Sequence, residues 1–435
     1  MKRIHNILYC LLLIAGLSSC VTDNALNDCP TTPQGGSETA TAQVMLSLSI
    51  PNSQLPPTRG VVNESTVNSL WVLEFENGAL KDKIDITTKY NNSNGKRLYI
   101  AIEETPNPVI LSIVANKDVS GLEIGTEKAA ALQSLTFNNA HTLDYIPMYG
   151  ETQEFANINR NNAYDTSVEL IRSLAKIEVQ YSSTQTEEEF TFLGIKVLNT
   201  NATGYVVNTS GIPSQTSVPS VIASPVSVSG NSKLKTASVY IAETDNNSDN
   251  KVQILVHGQY KGTDCWYRLD MIKENEKSEI ATLNRNHKYV FALQNVNFLG
   301  RSEADAMTGD PDNKAFDARL MTLNAEEADI LDITTDDEYF LGVNSSTLQL
   351  TLNEGDLCFT KLKVLTNNFS EGWTIVDAPN GVRFNPGTTG GKAVSDEQRK
   401  VATVWIYINR TLVTQDFNFY VTTGKIRKTI TVKMP

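Results

Sequence analysis

Thr41-Ala42-Gln43-Val44-Met45-Leu46-Ser47-Leu48-Ser49-Ile50, followed by Pro51-Asn52-Ser53-Gln54-Leu55-Pro56-Pro57-Thr58-Arg59-Gly60, is the stretch that decides the fold. Val44, Leu46, Leu48 and Ile50 alternate with Met45, Ser47 and Ser49, the period-2 pattern of a strand with one face in a core. Pro56 and Pro57 hold the adjoining segment extended and unable to join a sheet. One arginine, Arg59, then precedes Gly60. The next arginine is Arg97. A cut after Arg59 would therefore free the leading strand and leave the rest intact. The bland alternative is a single soluble arginine in a connecting segment. The sharper reading makes Val44, Leu46, Leu48 and Ile50 a removable edge of the first domain.

The chain has 435 residues, enough for two or three domains, with 40% hydrophobic and 20% charged residues. Its net charge of −12, without a basic cluster, argues against nucleic acid and anionic lipid surfaces as partners. Residues 1–19 read as a signal peptide: Lys2 and Arg3 form the positive region, and Ile7 to Leu17 an apolar run too short to span a bilayer. Leu17-Ser18-Ser19-Cys20 resembles a bacterial lipobox, in which the Cys20 thiol is acylated and becomes the mature N-terminus. An ordinary cleavage site is the alternative. Two or three acyl chains on Cys20 would anchor the protein stably in the outer membrane, as one chain would not. Cys29, Cys265 and Cys358 then remain, an odd number without zinc or disulfide spacing. Cys265 shares a strand face with Tyr267, Leu269 and Met271, and Cys358 with Leu362 and Val364, so both read as small core residues.

Residues 20–42 are polar, with Gly35-Gly36 and two prolines, and read as a lipidated tether. Short alternating strands fill most of the chain from residue 43 onward, so the fold class is all-β with one short helix. Residues 43–170 form a first β-sandwich, in which Leu70–Glu76 and Ala79–Ile86 flank the hairpin signal Asn77-Gly78. Thr126–Leu135 is the one helical pattern, with Thr126 as cap and Ala130, Leu132 and Leu135 facing the core. A second sandwich spans 171–300, opening on a strand with Ala175, Ile177, Val179 and Tyr181 on one face and Lys176, Glu178 and Gln180 on the other. It includes a hairpin about Lys261-Gly262, and its Ser210–Ser232 stretch reads as a long loop. Residues 301–337 read as an acidic linker with room for a short helix. Residues 338–435 read as an immunoglobulin-like sandwich of short strands.

No catalytic constellation can be assembled. His141, His257 and His287 lie in different elements without ligand spacing, and no GxSxG, HExxH, P-loop or GxGxxG motif occurs. Asp310, Asp312 and Asp317 lack the glycine and terminal glutamate of a calcium loop and read as solvated. The expectation is a non-enzyme without metal or cofactor. Trp71, Trp266, Trp373 and Trp405 lie in strand-like contexts and read as core. Trp405 and Tyr407 share the face opposite Val404, Ile406 and Ile408, which leaves one exposed aromatic pair.

The chain resembles the fimbrillin family, the type V pilus subunits of Bacteroidota. The resemblance is carried by Leu17–Cys20, by the first strand ending in Thr58-Arg59-Gly60, and by Arg172-Ser173-Leu174-Ala175-Lys176-Ile177 opening the second domain. Asn286-His287-Lys288-Tyr289-Val290-Phe291, leading to Val296, Gly300 and Arg301, is similar to the close of that domain. It implies a structural and adhesive subunit exported as an outer-membrane lipoprotein. An arginine-specific protease would cut between Arg59 and Gly60, and strand exchange with other fimbrial subunits would then occur at the cell surface. The added third sandwich departs from a stalk subunit and favours a minor or tip position. Two alternatives stay open. One is an anchor subunit that keeps its lipid; the other is a surface glycan-binding lipoprotein using exposed aromatics. A host or bacterial surface ligand is not specified by these residues.

Overall fold

A computed structural model describes residues 40–50, 64, 66–93, 97–182, 185–207, 221–228, 234–246, 250–272, 280–293, 295–316, 318–323, 330, 332–335, 339–352, 356–394 and 398–435. The signal peptide, Cys20, most of the tether and Arg59-Gly60 lie outside the described residues.

In the first unit the chain runs through β1 (Thr41–Ser49), β2 (Leu70–Glu76), β3 (Ala79–Asp85), β4 (Leu98–Glu103), β5 (Val109–Ala115), β6 (Thr136–Asn138), β7 (Met148–Glu151), β8 (Tyr164–Glu169) and β9 (Ile171–Arg172). Two sheets result, ordered β4-β1-β8 and β3-β2-β5-β7-β9. Their inner faces share one apolar core, including Leu46, Leu70, Val72, Ile100, Leu111, Ile113 and Val168. Asn77 and Gly78 both have positive φ, 50° and 79°, as the tight turn between β2 and β3 requires. The expected helix shortens to Lys128–Gln133. Thr126 does not cap it; its carbonyl accepts the Leu80 N–H at 2.8 Å. Leu132 and Leu135 are buried and Ala130 is exposed, because Ala131 takes the core-facing position.

The second unit is built on β10 (Leu174–Ser182), which pairs antiparallel with Leu234–Ala242 and parallel with Lys288–Leu293. This five-stranded sheet faces a four-stranded sheet of Val221–Pro225, Phe190–Leu198, Gln253–Tyr260 and Thr263–Asp270. Ala175, Ile177, Val179 and Tyr181 enter the core between them, with Cys265, Tyr267, Leu269 and Met271 opposite. Part of the stretch read as a long loop is therefore strand, at Val221–Pro225 and Ser227–Val228.

The third unit packs a six-stranded sheet against a five-stranded one. Trp373, Val404, Ile406, Ile408, Phe419, Val421, Ile430 and Val432 lie in its core with Cys358.

Residues read as an acidic linker with a short helix, 301–337, contain that helix but also strands that join the neighbouring units. Glu303–Thr308 is a helix capped by Ser302, whose Oγ accepts from the Asp305 N–H at 3.2 Å. Its Ala306 packs on Leu198, Leu255 and Trp266 of the second unit. Arg319–Leu323 extends the five-stranded sheet of the second unit beside Lys288–Leu293. Asp332–Thr335 begins the third unit by pairing with Phe340–Val343. The acidic side chains suggested solvation, yet backbone pairing and apolar neighbours decide the structure.

The outer face of the middle sheet is also covered. Tyr240 and Ala242 join the core of the first unit. Val290, Ala292, Met321 and Leu323 form a separate apolar cluster with Ile330, Ile333, Phe340 and Leu365 of the third. The polar face expected for Lys176, Glu178 and Gln180 is thus a buried seam: Glu178 and Gln180 are 6% and 1% exposed.

Candidate functional site: the inserted first strand

β1 is not an edge. It lies between β4, antiparallel, and β8, parallel. Val44 faces Ile100 on one side and Tyr164 on the other, and Leu46 faces Leu98 and Thr166. Ladders on both sides explain how a single segment with polar residues at every second position is held. Both ends are tied as well: Glu104 N–H donates to the Ala40 carbonyl and Leu170 N–H to the Ser49 carbonyl, each at 2.8 Å.

The side chains keep the alternation with one shift towards the N-terminus. Ala42, Val44 and Leu46 are fully buried, whereas Leu48 and Ile50 are half-buried and pack on the rim of the core. Val44 and Leu46 each contribute about 1.5–3 kcal/mol by burial. Sequence reasoning missed Ala42, because one methyl group scarcely registers in a hydrophobicity pattern.

Removal of β1 would leave a slot with two unpaired walls, β4 and β8, over an apolar floor. Such a slot accepts an extended peptide by main-chain pairing, and its pockets select side chains at alternate positions. The wall at β8 sits tightly against the other sheet. A Cβ on Gly150 of β7 would lie 2.3 Å from the Glu169 carbonyl oxygen and 2.6 Å from Val168 Cγ1, so only glycine permits that approach.

The chain re-enters the described structure at Glu64, at the junction of the first and second units. The Glu64 carboxylate accepts from Lys176 Nζ at 2.8 Å and from the Tyr240 hydroxyl at 2.5 Å. Its backbone carbonyl accepts from Arg172 Nε at 2.7 Å. Burial pushes the Glu64 carboxyl up, but Lys176 more than offsets this, and the group is held down at about 2. The sequence offered no signal for this residue, since a lone glutamate in a polar stretch has no period to betray it.

Of the other candidate residues, Asp317 lies outside the described residues and His141 is exposed. His257 stacks on Trp266, with ring centroids 4.0 Å apart, and contacts Asp264 at 2.8 Å. Asp312 accepts from the Arg268 N–H at 2.8 Å and pairs with Arg301. No group of three or more metal-ligating side chains occurs among the described residues. Trp405 and Tyr407 are each 38% exposed, on one face with half-buried Phe359.

No family model matches the sequence, and no curated protein sequence is similar to it. Solved structures are similar in fold. The tip fimbrial protein Mfa3 of Porphyromonas gingivalis, with a C-terminal truncation, is 14% identical over 65% of this chain and 99% of its own, with a TM-score of 0.45. A fimbrilin from the same organism is 12% identical over 66% of this chain and 97% of its own, with a TM-score of 0.44. The fimbrial anchor protein Mfa2, also from that organism, is 13% identical over 59% and 91%, with a TM-score of 0.33. The chain described here is an all-β protein of tandem sandwiches.

Proposed function

We propose that the protein is a fimbrial subunit of the fimbrillin type, exported as a lipoprotein through Cys20. It is matured by an arginine-specific protease between Arg59 and Gly60 and assembled at the cell surface by strand exchange with other subunits. The observation that carries this reading is the position of β1. It fills the first unit's core through Ala42, Val44 and Leu46, yet it is joined to the rest of that unit only through residues 50–63, the stretch containing Pro56, Pro57 and Arg59. Cleavage would turn a closed monomer into an acceptor whose slot a strand from another subunit can fill. It would also release the lipid, since Cys20 lies on the piece removed. The third unit supports a minor or tip position. Its strand Ile426–Lys433 pairs on both sides, with Thr347–Gln349 and Phe417–Thr423 of its own sheet.

Arg59→Ala tests the reading. The variant is expected to remain a folded, membrane-bound monomer absent from fibres, and its incorporation into fibres would refute the role of Arg59. The mature N-terminus separates this subunit from an anchor: Gly60 for the former, acylated Cys20 for the latter. The exposed Trp405 and Tyr407 favour a second reading as a glycan-binding lipoprotein. Binding of the uncut monomer to a glycan array, without entry into fibres, would support that one.

A further inference from the structure

We propose that Lys176 and Tyr240 form a carboxylate-binding site whose occupant is Glu64, with Arg172 holding the Glu64 backbone carbonyl, and that this clasp fastens the chain downstream of the maturation cut to the second unit. The inference rests on the reading of Arg59–Gly60 as the scissile bond. Glu64 lies five residues beyond Arg59, so four residues, Gly60 to Asn63, would precede it in the matured chain. The site is built from three elements: Arg172 from β9, Lys176 from β10 and Tyr240 from the strand Leu234–Ala242. Together they donate three hydrogen bonds of 2.5–2.8 Å to one residue.

The charges around the site require an acidic occupant. Arg172, Lys176 and Lys288 face it, with His287 beside them. Among the described residues the other carboxylate facing these cations is Glu178, which lies 2.8 Å from Lys288 Nζ and 3.5 Å from Lys176 Nζ. Without Glu64, Lys176 and Lys288 would share the Glu178 carboxylate in a half-buried junction, at a desolvation cost that a bound carboxylate offsets. Beyond the clasp the chain is tied again: Asn116 Nδ2 donates to the Thr66 carbonyl, and Asn116 Oδ1 accepts the Asn68 N–H, both at 2.7 Å. β9 and β10 continue directly from β8. The clasp therefore also holds the parallel wall of the slot while β1 is absent.

Two measurements on the full-length chain test the site. In the uncut protein, carbon-detected NMR titration of Glu64 is expected to give a pKa near 2. In Tyr240→Phe it is expected to move towards the ordinary 4.5, with about tenfold easier protonation. A wild-type Glu64 titrating near 4.5 would overturn the proposal. After cutting with an arginine-specific protease, an aminopeptidase is expected to trim the new terminus and stop short of Glu64. In Glu64→Ala trimming should pass residue 64 at least tenfold faster and halt near Thr66. Identical end points in both proteins would overturn the clasp. Failure of the protease to open Arg59–Gly60 would instead refute the maturation reading, and the titration would then decide the site alone.

Discussion

Leu46→Ala measures how much of the first unit's integrity resides in its leading strand, β1. Leu46 has no exposed surface and lies in the inner layer between Leu98 and Thr166 of the neighbouring strands. Truncation of a fully buried leucine costs about 2–5 kcal/mol through lost burial and the cavity left behind. A value of about 3 kcal/mol corresponds to a hundredfold or greater increase in the opening of β1. Met45, on the opposite face and half-buried, should cost well under half as much when changed to alanine. Because the chain holds three units, a single unfolding midpoint would mix their transitions. Hydrogen exchange of the β4 and β8 amides reads the opening of β1 directly. The expected result is exchange faster by about two orders of magnitude in Leu46→Ala and by less than one in Met45→Ala. Equal effects at the two positions would mean that β1 adheres through its backbone alone, and the idea of side-chain-selective pockets would fall.

Gly150→Ala is expected to push β8 away from β7 and loosen the slot, at about 1–3 kcal/mol, read as faster exchange in β8 with β2 and β3 unchanged. Glu76 accepts from Asn107 Nδ2 at 2.6 Å and from the Thr105 hydroxyl at 2.8 Å, and it pairs with Lys81 at 2.8 Å. The hydrogen bond from Asn107, then that from Lys81, holds its carboxyl at about 2. Its contribution is therefore complete above the unfolded value of about 4.5 and is lost as pH falls through about 2. Glu76→Gln should flatten the acid-induced loss of stability of the first unit in that window, as monitored by Trp71 fluorescence. In the third unit, buried Lys428 pairs with Asp332 at 2.6 Å and donates to the Thr334 hydroxyl at 2.7 Å. Asp332→Asn should destabilise the unit by about 3–5 kcal/mol, since it strands a buried cation. Burial already holds Lys428 below its ordinary value. The unfolded chain thus binds that proton more strongly, and the variant should regain stability as pH rises towards 10.5, measurable by chemical denaturation across pH.

Strands with one wet face and turns with positive φ were legible in the sequence. The hairpins at Asn77-Gly78 and Lys261-Gly262 are examples, since Asn77 and the two glycines suit the positive φ that these turns require. Elements whose character depends on distant partners were not. Leu320 enters the core of the second unit, while Met321 and Leu323 enter the cluster shared with the third. A strand buried on both faces shows no alternation, and the acidic residues around it suggested a linker. Likewise Lys176, Glu178 and Gln180 alternate as a solvated face would. Only the docking of the first and third units reveals that their partners are Glu64, Lys288 and the Ile333 N–H. Of the candidate site, the strand was legible from its pattern, but not its interior position between β4 and β8 or the residue that clasps the chain after it.

That polar row on β10 acts as a key in a slot. Glu64 engages it at one end and the Ile333 N–H, 3.3 Å from Gln180 Oε1, at the other, with Glu178 bridging Lys176 and Gln180 between them. Apolar contacts alone would let the outer modules slide or twist on the middle one at little cost. Directional bonds along a single strand add an angular preference to those contacts, so twisting either outer module on the middle one would first have to break the bonds to Glu64 or Gln180.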